Sequence, residues 1–327
     1  MLNSEQIKAQ ARAIGFDLCG IAPAGAFPEL AFFREWLDRG YAGDMAYLPR
    51  SARKRADVRA VVPSARSVIM TGTIYNSPVP YSTTRNDPTL GEVARYACAD
   101  DYHDVLARRL DELLAWMRQE HPGPFEARPY VDTGPVQERV YAQYAGLGWI
   151  GKNACVINPE VGSWMLLAEI ICSLPLEPDQ PSLDQCGTCT LCLDACPTHA
   201  FVEPRVLDAT KCISYLTIEY RGEMPEALRE GVGNHLFGCD ICQEVCPWNA
   251  MASTANDRWP SRPGLSLLKI AKLAETGDEE LTLLIDGTPL TRAGVKGLRR
   301  NVEVSMANSG VQPEPPSDGR RHVLVRE

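Results

Sequence analysis

Eight cysteines between positions 186 and 246 carry the clearest chemical signal in this chain of 327 residues. The first four follow the spacing Cys-x2-Cys-x2-Cys-x3-Cys-Pro and are Cys186, Cys189, Cys192 and Cys196. In such a run, three closely spaced thiolates bind one 4Fe–4S cube and the fourth cysteine reaches a second cube. The spacing therefore predicts two neighbouring 4Fe–4S clusters.

The second half of this pattern, Cys239-x2-Cys242-x3-Cys246-Pro, lacks one local member, and Cys212 can supply it. Residues 213–238 separate Cys212 from Cys239, so we interpret this half as a standard motif opened by an insertion. Crossed ligand sets place the two clusters close together, as an electron relay requires. We assign one cluster to Cys186, Cys189, Cys192 and Cys246, and the other to Cys196, Cys212, Cys239 and Cys242.

Zinc is the alternative metal, because paired Cys-x2-Cys motifs also build four-thiolate zinc sites. In both halves of the pattern, a Cys-x2-Cys pair is followed directly by Cys-x3-Cys-Pro. This repeated arrangement favours ferredoxin-type clusters over zinc. A radical SAM site is disfavoured because the chain has no Cys-x3-Cys-x2-Cys motif. The other four cysteines are predicted to be small apolar core residues: Cys19, Cys98, Cys155 and Cys172.

The elements ahead of the cysteines alternate between helix and strand. Ser4 is expected to cap a helix whose apolar positions are Ile7, Ala11 and Ile14. This alternation predicts an α/β or α+β domain. Further helices are predicted over residues 101–119 and 136–145, and strands over residues 67–75, 126–132 and 164–171, with a short helix as the alternative for the last of these.

Prolines and composition divide the chain into segments. Three prolines within residues 174–181 exclude helix and central strand and mark the first linker. A softer boundary is expected over residues 254–263. We therefore expect an α/β domain over 1–175, a two-cluster ferredoxin-like domain over 176–255, a helical extension over 256–310 and a disordered tail over 311–327.

Charge and hydropathy restrict the cellular setting. The longest apolar run, Trp164 to Cys172, is interrupted by Glu169 and is shorter than the ~18 residues of a membrane-spanning helix. The first residues carry no export signal, so we expect a cytoplasmic protein with no membrane contact, and cysteines that bind metal. The net charge of −9 argues against strong overall attraction to nucleic acid but leaves local basic patches possible.

Four stretches of the sequence resemble the epoxyqueuosine reductase family, and the resemblance runs over nearly the whole chain. They are residues 130–135 (YVDTGP), 148–153 (GWIGKN), 212–219 (CISYLTIE) and 238–249 (GCDICQEVCPWN). The resemblance implies an α+β fold with a nitroreductase-like corrinoid domain, a ferredoxin-like domain with two 4Fe–4S clusters and a short helical C-terminal extension.

The resemblance also implies a reaction and its cofactors. Members of this family deoxygenate epoxyqueuosine to queuosine at the wobble position of tRNA, using two electrons that pass through the clusters to cobalamin. Low-valent cobalt carries the difficult reduction, while the protein supplies an electron path and a positioned acid. The expected partners are tRNA carrying epoxyqueuosine and a reduced electron-donor protein, and we expect a monomer.

Site residues follow from the same resemblance. The family's proton donor corresponds to Asp132, and Arg55, Asn153 and Ser214 correspond to corrinoid contacts. We expect a dry site to raise the pKa of Asp132, so that it holds a proton near neutral pH. The alternatives are a strand-end aspartate that bonds the following turn, and a solvated or RNA-binding basic surface for Arg55.

One further motif, Asp101-x-His103, begins like the signature of proteins that bind cobalt through histidine. That signature continues with glycine where this chain has Leu106, so His103 is predicted to be a solvated or helix-capping residue. Its absence as a ligand agrees with the family, whose corrinoid is bound without a protein histidine on cobalt.

The C-terminal region is the most basic part of an acidic chain, with seven Lys or Arg against four acids over residues 291–327. Phosphate contacts supply affinity for RNA, while a splayed anticodon base is read in a pocket. Lys296, Arg299 and Arg300 are predicted to contact tRNA phosphates. A solvated helix face is the alternative.

Two other functions remain open at this point. A reductive dehalogenase-like enzyme would use the same corrinoid and ferredoxin core, although such enzymes usually carry a twin-arginine export signal. An iron–sulfur electron-transfer subunit would use the N-terminal domain as a docking surface. The spectrum after reconstitution with cobalamin discriminates between them, because an electron carrier shows iron–sulfur absorption alone.

Overall fold

The computed structural model describes residues 2–250, 252 and 259–312. Its helices are α1 (Ser4–Ile14), α2 (Pro28–Asp38), α3 (Tyr47–Arg55), α4 (Tyr102–Glu120), α5 (Glu138–Tyr144), α6 (Leu191–Asp194), α7 (Ile213–Ile218), α8 (Glu226–Val232), α9 (Ile241–Glu244), α10 (Ile270–Glu275), α11 (Asp278–Ile285) and α12 (Gly294–Ser309). Its strands are β1 (Leu18–Pro23), β2 (Ser67–Ile74), β3 (Leu90–Val93), β4 (Ala127–Tyr130), β5 (Trp149–Ile150), β6 (Val156–Ile157), β7 (Met165–Cys172), β8 (Phe201–Glu203), β9 (Val206–Leu207), β10 (His235–Phe237) and β11 (Leu268–Lys269).

The N-terminal region is built on an antiparallel sheet with strand order β1-β2-β7-β4. The central strands β2 and β7 are almost entirely buried, because apolar layers cover both faces of the sheet. One layer includes Leu106, Leu110 and Leu113 of α4, and the other includes Val140 and Tyr141 of α5. The mixed architecture confirms the predicted α+β class.

The predicted helices and strands of this region are confirmed, but the first helix begins differently. Asn3, not Ser4, is its N-cap, because the extended backbone of Asn3 lets its side chain accept from the Gln6 N–H. The Gln6 side chain accepts in turn from the Asn3 N–H, which completes a capping box. Ser4 instead donates its hydroxyl to the Glu177 carbonyl and so ties the proline-rich linker to α1.

The cysteine-rich segment contains two short helices in equivalent places. Helix α6 lies within the first cysteine motif and α9 lies within the second, and the two pack against each other. The hairpin β8–β9 follows the first motif. The insertion between Cys212 and Cys239 folds as α7, α8 and β10, so it forms structure of its own.

A second sheet, with order β10-β3-β11, joins all three parts of the chain. Strand β3 comes from the N-terminal region, β10 from the cysteine-rich segment and β11 from the C-terminal extension. Helix α12 is anchored beside this sheet, because the Asn301 side-chain amide donates to the carbonyls of Thr217 and Leu236. The segments expected from sequence are therefore interlocked in space.

Two expectations fall wholly or partly outside the described residues. These are the tail beyond residue 312 and, within the softer boundary, residues 254–258. Helix α12 itself ends at Ser309, where Gly310 takes the left-handed backbone that closes many helices. Within the described part of the chain, none of the helices combines the length and apolarity needed to cross a bilayer.

Candidate active site

Two adjoining cavities lie between the N-terminal sheet and the cysteine-rich segment. The larger has a volume of about 780 Å³ and the smaller about 310 Å³. Tyr96, Leu207, Cys212 and Ser214 line both, so the two form one continuous space. Cysteine thiols bound the smaller cavity, while a group of ionisable side chains bounds the larger one.

The structure brings together the members of the first predicted cysteine set. Burial, and then the neighbouring thiols Cys246, Cys186 and Cys189, raise the pKa of Cys192 to about 11. These four residues come from both motifs, as crossed ligand sets require.

The second set lies around Cys239. Burial raises the pKa of this thiol well above its ordinary value, and the nearby thiols Cys212 and Cys196 add to the shift. The hydrogen bond with Cys155 and then burial raise the pKa of Cys242, and Cys239 and Cys212 add to the shift. All four cysteines of this set line the smaller cavity, so a cluster bound here would border that space directly.

Backbone and indole donors are aimed at the thiols. The Ala200 N–H group donates to the Cys196 sulfur with an N–S distance of 3.3 Å. The Trp149 indole N–H group donates to the Cys186 sulfur with an N–S distance of 3.4 Å. Hydrogen bonds to cluster sulfurs are one of the factors that set reduction potential. Each cysteine set therefore has a donor that can tune its cluster.

Cys155 differs from the other early cysteines and corrects the expectation that it is an apolar core residue. Its thiol contacts Cys242, and that hydrogen bond lowers the pKa of Cys155. It also lines the smaller cavity. Cys19, Cys98 and Cys172 are buried as predicted, and burial raises the pKa of each thiol, so they stay neutral.

The three residues expected to contact a corrinoid come from separate elements and reach the two cavities. Asn153 is buried, lines the smaller cavity and donates to the Cys242 carbonyl at 3.1 Å. Ser214 follows Cys212 in α7 and lines both cavities. Arg55 lines the larger cavity and donates to the Val136 carbonyl at 2.6 Å.

Asp132 lines the larger cavity just after β4. Its backbone has φ of 54°, a left-handed conformation that non-glycine residues seldom adopt. The Asp132 N–H donates to Glu138 Oε1 at 2.7 Å, and its carboxylate Oδ2 lies 3.5 Å from His103 Nε2. Its side chain is 60% exposed, so the carboxylate remains open to the cavity.

His103 lies between two carboxylates, which corrects its interpretation as a solvated or capping residue. Asp101 is the N-cap of α4, and its Oδ1 lies 2.7 Å from His103 Nδ1. Burial acts to lower the pKa of His103, but hydrogen bonds and charges from Asp101 and Asp132 outweigh it and raise the pKa to about 9. The imidazole is therefore protonated at neutral pH.

The pKa of Asp132 moves in the direction opposite to the expectation. Desolvation by the surrounding cavity wall acts to raise it, but the His103 imidazolium and the Tyr102 hydroxyl outweigh this effect, so the pKa is lowered. Asp132 is an ionised carboxylate at neutral pH, and the proton of this group resides on His103. Sequence reasoning misses this because it assigns the dry site to Asp132 and leaves His103 outside it.

The three basic residues of α12 have different surroundings. Lys296 is exposed. Arg299 donates to the Asp278 carboxylate at 2.6 Å and to the Thr276 carbonyl at 2.7 Å. Arg300 donates to the carbonyls of Leu216 and Tyr220, each at 2.6 Å, so its guanidinium closes the end of α7.

Comparison with known proteins decides the family. Residues 55–133 match the model described as "Epoxyqueuosine reductase QueG, DUF1730", and residues 185–249 match a 4Fe-4S double cluster binding domain. A protein of Gloeobacter violaceus named epoxyqueuosine reductase is 44% identical over 93% of this chain and 96% of its own length. The chain belongs to the epoxyqueuosine reductase family.

Other epoxyqueuosine reductases are similar to this chain over comparable lengths. The epoxyqueuosine reductase of Escherichia coli is 37% identical over 94% of this chain and 81% of its own. A crystal structure of epoxyqueuosine reductase with an epoxyqueuosine-modified tRNA-Tyr stem loop is 32% identical, with a TM-score of 0.83, over 93% of this chain and 81% of that one.

A structure of the Bacillus subtilis epoxyqueuosine reductase has its catalytic aspartate loop swung out of the active site. It is 31% identical, with a TM-score of 0.82, over 93% of this chain and 81% of that one. The family, with its double-cluster domain, confirms the predicted fold and favours two 4Fe–4S clusters over zinc. It favours the reductase over the dehalogenase-like and electron-carrier alternatives.

Proposed function

We propose that this protein is an epoxyqueuosine reductase that converts epoxyqueuosine to queuosine in tRNA. Removing the epoxide oxygen as water takes two electrons and two protons. One observation carries the proposal: a single continuous space has cluster thiols on one wall and the His103–Asp132 ion pair on the other. Electrons and protons can therefore reach one substrate within the same space.

The space between these walls fits a corrinoid. It extends through both cavities, it reaches the Cys212–Cys239 set at one end, and Asn153 and Ser214 offer neutral hydrogen-bonding groups on its wall. Of the described residues that line it, His103 is the one imidazole, and its two nitrogens lie 2.7 Å from the Asp101 carboxylate and 3.5 Å from the Asp132 carboxylate. Cobalamin, when bound, supplies the strong low-valent reductant that no side chain can provide.

In our proposal, side chains of this protein hold the proton and transfer it to the substrate. His103 stores it at neutral pH, and Asp132 lies between His103 and the open cavity. In our proposal Asp132 accepts one proton from His103 Nε2 and delivers it to the departing oxygen, and the second proton of the water product comes from solvent, to which the Asp132 side chain is exposed. Asp101 holds the ring from the Nδ1 side, which keeps Nε2 directed at Asp132.

Arg55 has a second task beside any corrinoid contact. Its guanidinium donates to the Val136 carbonyl and the Ser51 hydroxyl, so it joins α3 to the loop that follows Asp132. We propose that Arg55 keeps this loop against the cavity wall.

The tRNA is proposed to approach from the side of α12. Lys296 is an exposed cation of that helix and is our first choice for a phosphate contact, with Arg299 beside it. Arg300 remains a predicted contact, although its donors already hold the end of α7. We place the reaction in the cytoplasm, in a monomer.

A reduced electron-donor protein is the other proposed partner. The segment around the Cys186 set carries apolar side chains on its surface, with Leu183 and Leu191 exposed. We propose that electrons enter at the Cys186 set and leave through the Cys212 set, which borders the cavity.

Anaerobic incubation with epoxyqueuosine-containing tRNA, followed by nucleoside analysis, tests the proposed function. Protein with both clusters and cobalamin should convert epoxyqueuosine to queuosine when a strong reductant is supplied. Protein with clusters but no cobalamin is the matched control and should leave the nucleoside unchanged. Unchanged epoxyqueuosine in fully loaded protein, together with halide release from a haloaromatic compound, would overturn the proposal in favour of a dehalogenase.

A further inference from the structure

A pair of carboxyl groups lies behind the Asp132 loop, outside the cavities. Glu169 is on the central strand β7, directly opposite Tyr130 of β4, and is fully buried. Glu138 is the first residue of α5. The two side chains lie within hydrogen-bonding reach of each other although both are acids.

A shared proton explains this contact. Among the described residues, no N–H group donates to either side-chain oxygen of Glu169. A hydrogen bond between two carboxyl groups requires that one of them carries the hydrogen. Burial raises the pKa of Glu138 to about 7 and that of Glu169 well above its ordinary value, which agrees with one retained proton.

Such a pair is costly inside a sheet domain. A buried carboxyl group is destabilising unless it is paired, and apolar residues of similar size commonly replace buried ionisable pairs without loss of stability. Glu169 interrupts a strand that is otherwise apolar. The pair therefore points to a task other than stability.

Glu138 contacts the backbone of Asp132, which has an unfavourable conformation. Glu138 Oε1 accepts the Asp132 backbone N–H at 2.7 Å, while Asp132 has the left-handed φ of 54°. A left-handed backbone is unfavourable for a residue with a Cβ, so it persists only where surrounding contacts hold it. Arg55 holds the other end of the same loop through the Val136 carbonyl.

We propose that Glu138, fixed by the proton it shares with Glu169, is the positioning residue that holds Asp132 in its left-handed conformation with its carboxylate toward His103. This inference rests on the proposed function for its catalytic meaning. Glu138 is not among the residues that line the substrate space, and it acts through the backbone of Asp132.

The surrounding charges explain why the proton shared by Glu138 and Glu169 is needed to keep Glu138 in place. Asp132 faces Glu138 and Glu169 from the loop, Arg139 faces Glu138 from α5, and Arg55 faces Glu169 from α3. Without the shared proton, three carboxylates would repel one another and Glu138 would turn toward Arg139. The Asp132 N–H would then have no acceptor.

Four variants of the cofactor-loaded enzyme test this inference. Glu138→Ala removes the acceptor, whereas Glu138→Gln keeps an amide oxygen at the same place. Glu169→Met replaces the buried acid by an unbranched apolar chain of similar length. Glu112→Ala, on the exposed face of α4, is the matched control.

Amide hydrogen exchange of the peptide containing Asp132 and single-turnover deoxygenation are measured on each variant, with cobalamin content and thermal stability. Glu138→Ala and Glu169→Met should exchange at least about fivefold faster there. Their turnover should fall about 10²-fold, the scale of a misplaced catalytic group. Cobalamin content should be unchanged, and Glu138→Gln should restore most of both properties.

Each contrary outcome has one meaning. Wild-type exchange in Glu138→Ala would overturn the inference, and so would a decrease in turnover in Glu169→Met that merely follows a decrease in stability. If wild-type protein fails to deoxygenate tRNA but Glu138→Ala still exchanges faster, the proposed function fails while the positioning of Asp132 stands.

Discussion

The two walls of the central space are built in different ways. The cysteine wall comes from one stretch of the chain, residues 186–246, and its ligands follow a regular spacing. The acid wall is assembled from the start of α4 and the loop after β4, and the start of α5 and the middle of β7 support that loop from behind. The cysteine wall can be predicted from the local spacing of its residues, whereas the residues of the acid wall come together only when the sheet folds.

The walls also differ in what they hold. The thiols accept from backbone and indole N–H groups, and their cofactors store electrons. The acid wall holds a proton on His103, and in our proposal the Glu138–Glu169 pair behind it shares another. The electron path and the proton donors come from separate parts of the fold. A variant in one wall should therefore leave the function of the other wall intact.

The largest effect is expected on the cysteine wall. Cys212→Ala and Cys239→Ala should each damage the same 4Fe–4S cluster and abolish turnover, because the electron path to the cavity is broken. Iron analysis after anaerobic reconstitution should approach about four irons per chain in place of about eight. Cys98→Ala, a buried thiol outside both sets, is the control. A Cys212→Ala protein with the full iron content and unaltered spectra would show that the ligand is misassigned.

On the acid wall, pH should act through His103. Its folded pKa of about 9 is raised, so the proton is present at neutral pH and leaves as pH rises through about 9. The single-turnover rate should fall over that range. His103→Gln should be slower by about 10²-fold, the low end for removal of a proton-transfer group. A wild-type rate that stays flat as the pH rises from neutral to well above this pKa would remove His103 from the proton path.

Arg300 separates stability from RNA binding on α12. Arg300→Met should lower the free energy of unfolding by about 2–3 kcal/mol, because the carbonyls at the end of α7 are left without a charged donor. Chemical denaturation measures the change. An unchanged midpoint would show that this guanidinium is free to bind phosphate, as the sequence alone predicts.

The smallest effect concerns a single phosphate interaction. Lys296→Glu should weaken tRNA binding and reduce the slope of log K against log salt by about 0.7 to 0.9, because one fewer phosphate is neutralised. Arg12→Glu, an exposed charge reversal on α1, is the control. Equal slopes in the two variants would move the RNA surface elsewhere, with residues 50–59 as the next candidate.

The contrast between the walls explains what sequence can and cannot predict. The predicted ligand sets follow from spacing, because short helices keep neighbouring cysteines together in space. His103 is misinterpreted from sequence because its environment depends on Asp132, which is distant in the chain and meets it only through β4 and α4. Cys155 is wrongly assigned to the core because nothing near it in sequence indicates Cys242.

Some signals are present in the sequence but incomplete. Glu169 is the one charged residue in the apolar run from Trp164 to Cys172. This position indicates a buried carboxyl group, but the sequence does not show which residue pairs with it. The sheet supplies that partner, because β7 and α5 pack together. The Asp101-x-His103 pair likewise signals a helix start, and the second carboxylate becomes visible only in the folded chain.

The most direct test of the account uses Asp132→Asn, which keeps the shape of the side chain and removes its acid–base function. Cobalamin content, iron content, tRNA binding and reduction of the bound cofactor should match the wild type, because Asp132 is not on the electron path. Single-turnover deoxygenation on the same preparation should fall by ~10²–10⁴-fold. Near-normal turnover in a fully loaded Asp132→Asn protein would contradict the claim that the acid wall delivers the proton.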